Sequence, residues 1–188
     1  MEYYLSLITF TFVAGITPGP NNMMLMASGL NHGIRKSMPH YLGICLGFPV
    51  MGSVVGFGLG TVFTQYPRIY FYMKIFGIVY LLYLAWKIAN AGHMKAGAKV
   101  GTPFSFLQAA AFQWLNPKAW AIAIGALATF TAKEGFVQSM LIVILVYFVM
   151  GFLCMGVWLK LGQSLQVFLH THRRVNIFNI AMASLLVL

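Results

Sequence analysis

The polar residues of this chain that could bind a ligand are grouped around two proline-containing stretches in apolar segments. The first is "ITPGPNN", Ile16 to Asn22, and it lies in an uncharged run from Tyr3 to Ile34. The second is "FQWLNPKAW", Phe112 to Trp120. Proline inside a helix removes a backbone hydrogen bond and clashes with a preceding carbonyl, at a cost of about 3 kcal/mol. Both stretches therefore predict a broken helix.

We expect a new helix to begin at each break. With Thr17 and Asn116 as N-caps, the prolines fall in the first turn, where N–H groups have no intrahelical partner. The positive ends of both helix dipoles then point into the space between the breaks, which suits a carboxylate. Thr17, Asn21 and Ser28 are spaced to share one helical face. The candidate substrate-binding residues are Thr17, Pro18, Gly19, Pro20, Asn21, Asn22, Gln113, Asn116, Pro117 and Lys118.

Charged residues inside the apolar segments narrow the choice of ligand. Lys118 within a span is costly unless paired or hydrated, whereas Lys74 lies near a segment end and is expected to snorkel. The chain has only two acidic residues, Glu2 and Glu134, both near segment ends. A cation would find no anionic partner, so a zwitterion or a small carboxylate is predicted. Lys118 and His40, whose intrinsic pKa is nearest to neutrality, are the candidate proton carriers.

The composition requires these residues to be held in a membrane. The 188 residues are 60% hydrophobic and 7% charged, against about 25% charged in soluble domains. Six apolar segments can be counted, and all but the last are long enough to cross a bilayer, which takes ~20 residues. They cover approximately residues 3–29, 39–63, 69–91, 104–130, 136–160 and 175–188. The fold prediction is an all-α polytopic membrane protein forming a single domain over 1–188, with its short last helix truncated.

Basic residues and a weak repeat predict the topology. The loops after segments 1, 3 and 5 carry eight Lys and Arg residues, whereas those after segments 2 and 4 carry one each. The positive-inside rule then places the N-terminus outside. Residues 14–29 resemble residues 111–126, with Pro18 matched to Pro117. The halves, about 1–92 and 103–188, are therefore predicted to be inverted repeats of three helices, with helices 1 and 4 broken.

These motifs together resemble the LysE/RhtB superfamily of amino acid exporters. The first stretch followed by "NHGIRKS" resembles the family's opening, and "YLAWKIA" and "FQWLNPKAW" resemble its third and fourth spans. Within the superfamily the chain looks most like the RhtB branch, which handles neutral amino acids and derivatives, and in particular like its cysteine and O-acetylserine exporters. The basic-amino-acid exporters of the superfamily carry an acidic residue in the membrane, and this sequence has none. The resemblance implies a six-span bacterial inner-membrane antiporter that moves small neutral amino acids outward against protons. It also favours truncation, since members usually continue past Leu188.

Other functions remain open at this point. A basic-amino-acid or metal exporter and a channel are alternatives, as is a membrane thiol oxidoreductase. The last needs two cysteines near the prolines, but Cys45 and Cys154 lie on segments 2 and 5. Nucleic acid is not expected as a partner, because the basic residues lie between apolar segments. We predict no cofactor and no metal, and we interpret His170 and His172 as part of a basic loop. The expected partners are an amino acid, protons and the bilayer, with a homo-oligomer left open.

Overall fold

The computed structural model describes residues 1–59, 65, 67–90, 102–132, 134–169 and 171–187. Regular structure within these ranges is helical, which confirms the all-α prediction. The helices are α1 (Glu2–Ile16), α2 (Pro20–Val54), α3 (Pro67–Asn90), α4 (Phe106–Leu115), α5 (Pro117–Phe130), α6 (Phe136–Phe168) and α7 (His172–Val187), and a π-helical turn, Val55–Leu59, follows α2. Some predictions concern residues outside these ranges: the segment ends near 60–63 and 91, and the repeat boundary at 92. The same holds for His170 and for three of the basic loop residues counted above, Lys95, Lys99 and Lys133.

Helix α2 folds back on itself at Gly33. The φ angle of Gly33 is 75°, a left-handed value that glycine adopts without the steric cost of a Cβ. The hydroxyl oxygens of Ser28 and Ser37 lie 2.7 Å apart across this bend, whereas nine residues of straight helix would separate them by about 13.5 Å. The arms 20–32 and 34–54 therefore form a hairpin, and the bend falls between the predicted first and second apolar segments.

The first predicted break separates α1 from α2. The prediction of Thr17 as the N-cap was wrong, because Gly19 occupies that position and Thr17 caps the end of α1. The backbone N–H of Thr17 donates to the Val13 carbonyl at 3.0 Å, and its hydroxyl bonds the same oxygen. Thr17 therefore shares no helical face with Asn21 and Ser28.

The second break separates α4 from α5 and has the predicted cap. Asn116 is the N-cap, and its Oδ1 accepts a hydrogen bond from the Lys118 backbone N–H at 3.1 Å. Pro20 and Pro117 both stand at the start of their helices, whereas the predicted repeat matches Pro18 with Pro117. Asn21 and Lys118 each directly follow the proline that begins their helix.

Close helix packing builds the rest of the molecule around these breaks. Helix α6 packs along α2 and also contacts α1, while α3 packs against α7. A Cβ at Gly29 would collide with the Leu159 carbonyl, and one at Gly162 with the Met26 carbonyl. Glycine is required at both positions because the backbones of α2 and α6 approach so closely there.

The outer surface is apolar. Leu141, Leu145 and Leu153 are exposed on α6. Their spacings of four and eight residues place them on one face of the helix, and an exposed apolar face of this kind would promote aggregation in water. By length and composition, the helical stretches Pro20–Gly58 and Phe136–Gln166 could cross a membrane, although the bend at Gly33 divides the first into two arms. The surface therefore suits a lipid environment.

Candidate substrate site between the broken helices

The two breaks are connected by the side chains at the second position of each new helix. Lys118 of α5 donates from Nζ to the Thr17 carbonyl at 2.6 Å and to the Pro18 carbonyl at 3.2 Å. Asn21 of α2 exchanges two amide hydrogen bonds with Gln113, at 2.8 and 3.1 Å. Each half of the chain thus reaches across to the break in the other half.

The first break exposes a series of backbone carbonyls that side chains from elsewhere satisfy. Asn22 Nδ2 donates to the Gly15 carbonyl at 2.8 Å, and Trp158 Nε1 of α6 donates to the Ile16 carbonyl at 3.2 Å. The next two carbonyls are those that Lys118 binds. The last carbonyls of a helix have no intrahelical partner, and prolines cannot donate to them. The first break therefore depends on donors from α2, α5 and α6.

The second break is closed by residues close to it in sequence. The Asn116 side chain caps α5, as described above, and Trp120 Nε1 donates to the Trp114 carbonyl at 2.8 Å. Gln113, just before the break, is fully buried and also donates to the Ala109 carbonyl at 3.0 Å. This break is thus stabilised largely from within α4 and α5.

Gly19 provides the space that Lys118 occupies. Its φ of −176° is extended backbone that any residue can adopt, so conformational freedom is not the requirement. A Cβ at this position would lie 2.6 Å from Lys118 Cδ and 3.0 Å from Nζ. Any side chain at residue 19 would therefore displace the lysine from the Thr17 and Pro18 carbonyls.

A cavity of about 70 Å³ lies between the breaks. It has room for several water-sized groups, since one needs about 10–15 Å³. The first-turn N–H groups of Asn21, Asn22 and Ala119 have no intrahelical acceptor, and all three residues line the cavity. Its polar lining residues are Thr11, Asn21, Asn22, Cys45, Asn116, Lys118 and Tyr147. Among the described residues of this wall, cationic and amide groups are present and carboxylates are not.

The ten predicted binding residues divide into distinct structural roles. Those that line the cavity are Asn21, Asn22, Asn116 and Lys118. Thr17 and Pro18 present carbonyls to the lysine, Gly19 gives it room, and Pro20 and Pro117 begin helices. Gln113 does not reach the lining and instead holds Asn21 in place.

The structure also gives the positions of His40 and of the two cysteines. His40 is buried in the second arm of α2 with its ring centroid 5.2 Å from that of Phe104. It is absent from the cavity wall, and in the described part of the chain neither ring nitrogen has a hydrogen-bond partner. Cys45, on the second arm of α2, lines the cavity, and Cys154, on α6, lies against Gly15. Both cysteines are free.

Sequence reasoning missed the contributions of Thr11 and of α6. Tyr147 lines the cavity and Trp158 satisfies a carbonyl of the first break. Neither is marked by a proline, a charge or a motif, because both lie in an almost uniformly apolar segment. With nine tyrosines and four tryptophans in the chain, residue type alone does not single them out.

Broken helices that face each other around a cavity in an apolar helical bundle are typical of membrane transporters. The chain matches the family described as LysE type translocator over residues 12–188. It is 30% identical over 186 residues to the cysteine/O-acetylserine efflux proteins of Escherichia coli K12, Escherichia coli O1:K1 and Shigella flexneri, covering 95% of this chain and 91% of each relative. No solved structure matches the chain.

The chain therefore belongs to the LysE type translocator family. It is a membrane transporter and not an enzyme, which confirms the predicted class.

Proposed function

We propose that this translocator exports small neutral amino acids in exchange for protons, through alternating access to the cavity between the breaks. Its family and relatives make it an amino acid exporter. The relatives are cysteine/O-acetylserine efflux proteins. We add threonine and homoserine, which are also small neutral amino acids, to the proposed substrates. The single observation that carries the proposal is Lys118, which lines the cavity and also joins the two breaks.

A substrate carboxylate is the group that this wall is suited to bind. Hydrogen bonds to charged groups contribute about 1.5–3 kcal/mol, roughly twice as much as neutral ones. Lys118 bonds two neutral carbonyls, those of Thr17 and Pro18. A carboxylate is a stronger acceptor and would compete for the ammonium group. Substrate binding would therefore weaken the contacts that hold the first break.

The rest of the substrate is expected to be neutral. Its ammonium group would rest on amide oxygens such as those of Asn21 and Asn22. A second positive charge on the side chain would enter a site whose described wall already holds Lys118 and has no carboxylate. Desolvating such a charge without a partner is costly, so lysine is disfavoured as a substrate.

The proposed transport cycle depends on a movement of the two halves of the chain relative to each other. Six spans arranged as two inverted repeats would rock against each other around the cavity. The equivalent positions of Pro20 and Pro117 support this arrangement. The bacterial relatives support an inner-membrane location, and the loop charges support an N-terminus outside. Lys118 is the favoured proton carrier because it lines the cavity, and His40 is the second candidate.

The test is uptake into everted membrane vesicles that contain the protein, with an imposed acid-inside gradient. The labelled substrates are threonine, homoserine, cysteine, O-acetylserine and lysine. We expect gradient-dependent uptake of at least one neutral substrate, abolished by a protonophore. Lys118→Met should remove this uptake, and Lys160→Met, which alters an exposed lysine of α6, should retain it.

Three results would overturn parts of the proposal. Uptake of lysine alone would exclude the neutral substrate class. Uptake that persists with the protonophore would exclude proton coupling. Gradient-dependent uptake that survives Lys118→Met but is lost in His40→Phe would move the proton carrier from the cavity to the second arm of α2.

A further inference from the structure

One hydroxyl group beside the cavity has no part in the interactions described so far. Tyr147 of α6 is 8% exposed, and its Oη has no hydrogen-bond partner in the described part of the molecule. Buried polar groups are almost always hydrogen-bonded, because water is lost without replacement when they are not. An orphaned hydroxyl in the wall of a binding cavity therefore points to a ligand that completes it.

The surroundings of Tyr147 define what that ligand group must be. Phe48, Pro49 and Tyr147 line both the main cavity and a smaller recess of about 10 Å³ that adjoins it. The recess is otherwise formed by apolar residues and glycine, such as Val143 and Leu127. The Tyr147 ring packs against Phe48 with centroids 5.2 Å apart, which holds the ring in place. About one water-sized group fits in a recess of this size.

We infer that Tyr147 is a specificity-determining residue that binds the polar tip of a short substrate side chain, a hydroxyl or a thiol. This inference rests on the proposed function. Lys118 and the N-termini of α2 and α5 lie at the two breaks, whereas Tyr147 lies on α6. A substrate whose backbone carboxylate meets Lys118 would extend its side chain towards Phe48 and Tyr147. The apolar recess limits the size of the side chain, and the hydroxyl selects its polarity.

A site that hydrogen-bonds a substrate group discriminates strongly against the analogue that lacks it. Two matched substrate pairs isolate this effect. Cysteine and 2-aminobutyrate differ by a thiol in place of a methyl group, and threonine and valine by a hydroxyl in place of a methyl group. The wild-type protein should prefer the polar member of at least one pair by about tenfold or more.

Tyr147→Phe is the decisive variant in the vesicle assay. It removes the hydroxyl and keeps the ring. The ratio of uptake of the polar member to uptake of the apolar member should therefore fall towards one, while uptake of the apolar member is kept or raised. Tyr41→Phe is the matched control, because the Tyr41 hydroxyl donates to the Phe152 carbonyl at 2.8 Å and lies outside the cavity wall. It should change both members of a pair equally and leave the ratio intact.

The outcomes separate this inference from the proposed function. If the wild-type protein carries none of the neutral substrates, the proposed function fails. If it carries both members of each pair equally well, or if Tyr147→Phe lowers uptake without changing the ratio, only the role of Tyr147 is overturned. The purified variant should melt no lower than the wild type, since its hydroxyl makes no bond within the described protein. A lower melting temperature, or failure to fold, would also overturn the inference.

Discussion

The break before α5 takes up one residue, Asn116, whereas the break before α2 takes up residues 17–19. Asn116 caps its own helix through its side chain, and Trp120 satisfies a carbonyl six residues earlier. At the first break the N-cap is a glycine with no side chain, and the donors Lys118 and Trp158 come from distant parts of the chain. The second break is closed largely by local hydrogen bonds, whereas the first, apart from the Asn22 amide, is closed by tertiary contacts.

This difference suggests which part of the site moves. A locally closed break keeps its hydrogen bonds when its surroundings shift, because donor and acceptor move together. A break that depends on α5 and α6 must change its hydrogen bonds when those helices move. We therefore expect the first break to rearrange during transport and the second to act as its rigid counterpart.

Among the variants that test this difference between the breaks, Gly19→Ser should cause the largest loss of transport. Serine is the better N-cap by propensity, but its Cβ would lie 2.6 Å from Lys118 Cδ and force the ammonium group away from the first break. Losing a charge-assisted hydrogen bond predicts an uptake rate lower by about tenfold to a hundredfold. Uptake is measured in vesicles at equal protein levels.

The control for Gly19→Ser is Gly125→Ser in α5, where an added Cβ meets nothing within 4 Å. This variant should retain most of the transport. Undiminished transport by Gly19→Ser would show that the position of Lys118 against the Thr17 and Pro18 carbonyls is dispensable.

Asn116→Ala should produce the largest loss of stability. The side chain is 2% exposed and caps α5, and replacing such a cap by alanine costs about 1–2 kcal/mol. Asn116→Ser keeps a capping oxygen and should recover most of that loss. The free energy of unfolding is compared in detergent micelles, and equal values for the two variants would show that the second break is not closed by its own cap.

The amide pair between Asn21 and Gln113 should show energetic coupling. The two side chains exchange two hydrogen bonds. The double variant Asn21→Leu/Gln113→Leu should therefore lose about 1 kcal/mol less free energy of unfolding than the two single variants lose when added together. A double-mutant cycle measures this. Asn21→Leu combined with Ser184→Ala, an exposed residue of α7, should be additive, and additivity of the amide pair as well would argue that it does not join the halves.

The two tryptophan donors give the smallest and most specific comparison. Trp158→Phe removes a donor that reaches the first break from α6, while Trp120→Phe removes one that acts within the second. Losing one hydrogen bond should destabilise the affected break by about 1 kcal/mol, which predicts roughly fivefold faster hydrogen exchange there. Exchange of a peptide covering residues 17–25 should rise in Trp158→Phe and stay near wild type in Trp120→Phe. The opposite pattern would reverse the assignment of the flexible break.

Much of this arrangement could be predicted from residue types and spacing. Proline and asparagine in apolar segments located both breaks, and Lys118 was recognised as a functional candidate because a charge is costly in such a segment. The register of the first break could not be predicted, since Thr17, Pro18 and Gly19 each have properties of a helix start. The hydrogen bond from Thr17 to Val13, which only the folded chain shows, determines that Thr17 ends α1 instead.

The helical class, the two breaks and the cation placed at one of them could be read from residue types and order, because they follow from local backbone chemistry and from the cost of charge in an apolar segment. Tertiary structure was needed to show that Lys118 binds carbonyls a hundred residues earlier and that Asn21 pairs with Gln113. It was also needed to show that the Tyr147 hydroxyl has no hydrogen-bond partner within the described part of the chain. The physical reason is that these contacts depend on which faces of distant helices meet, and a uniformly apolar helix such as α6 does not mark in its sequence the face that will meet the site.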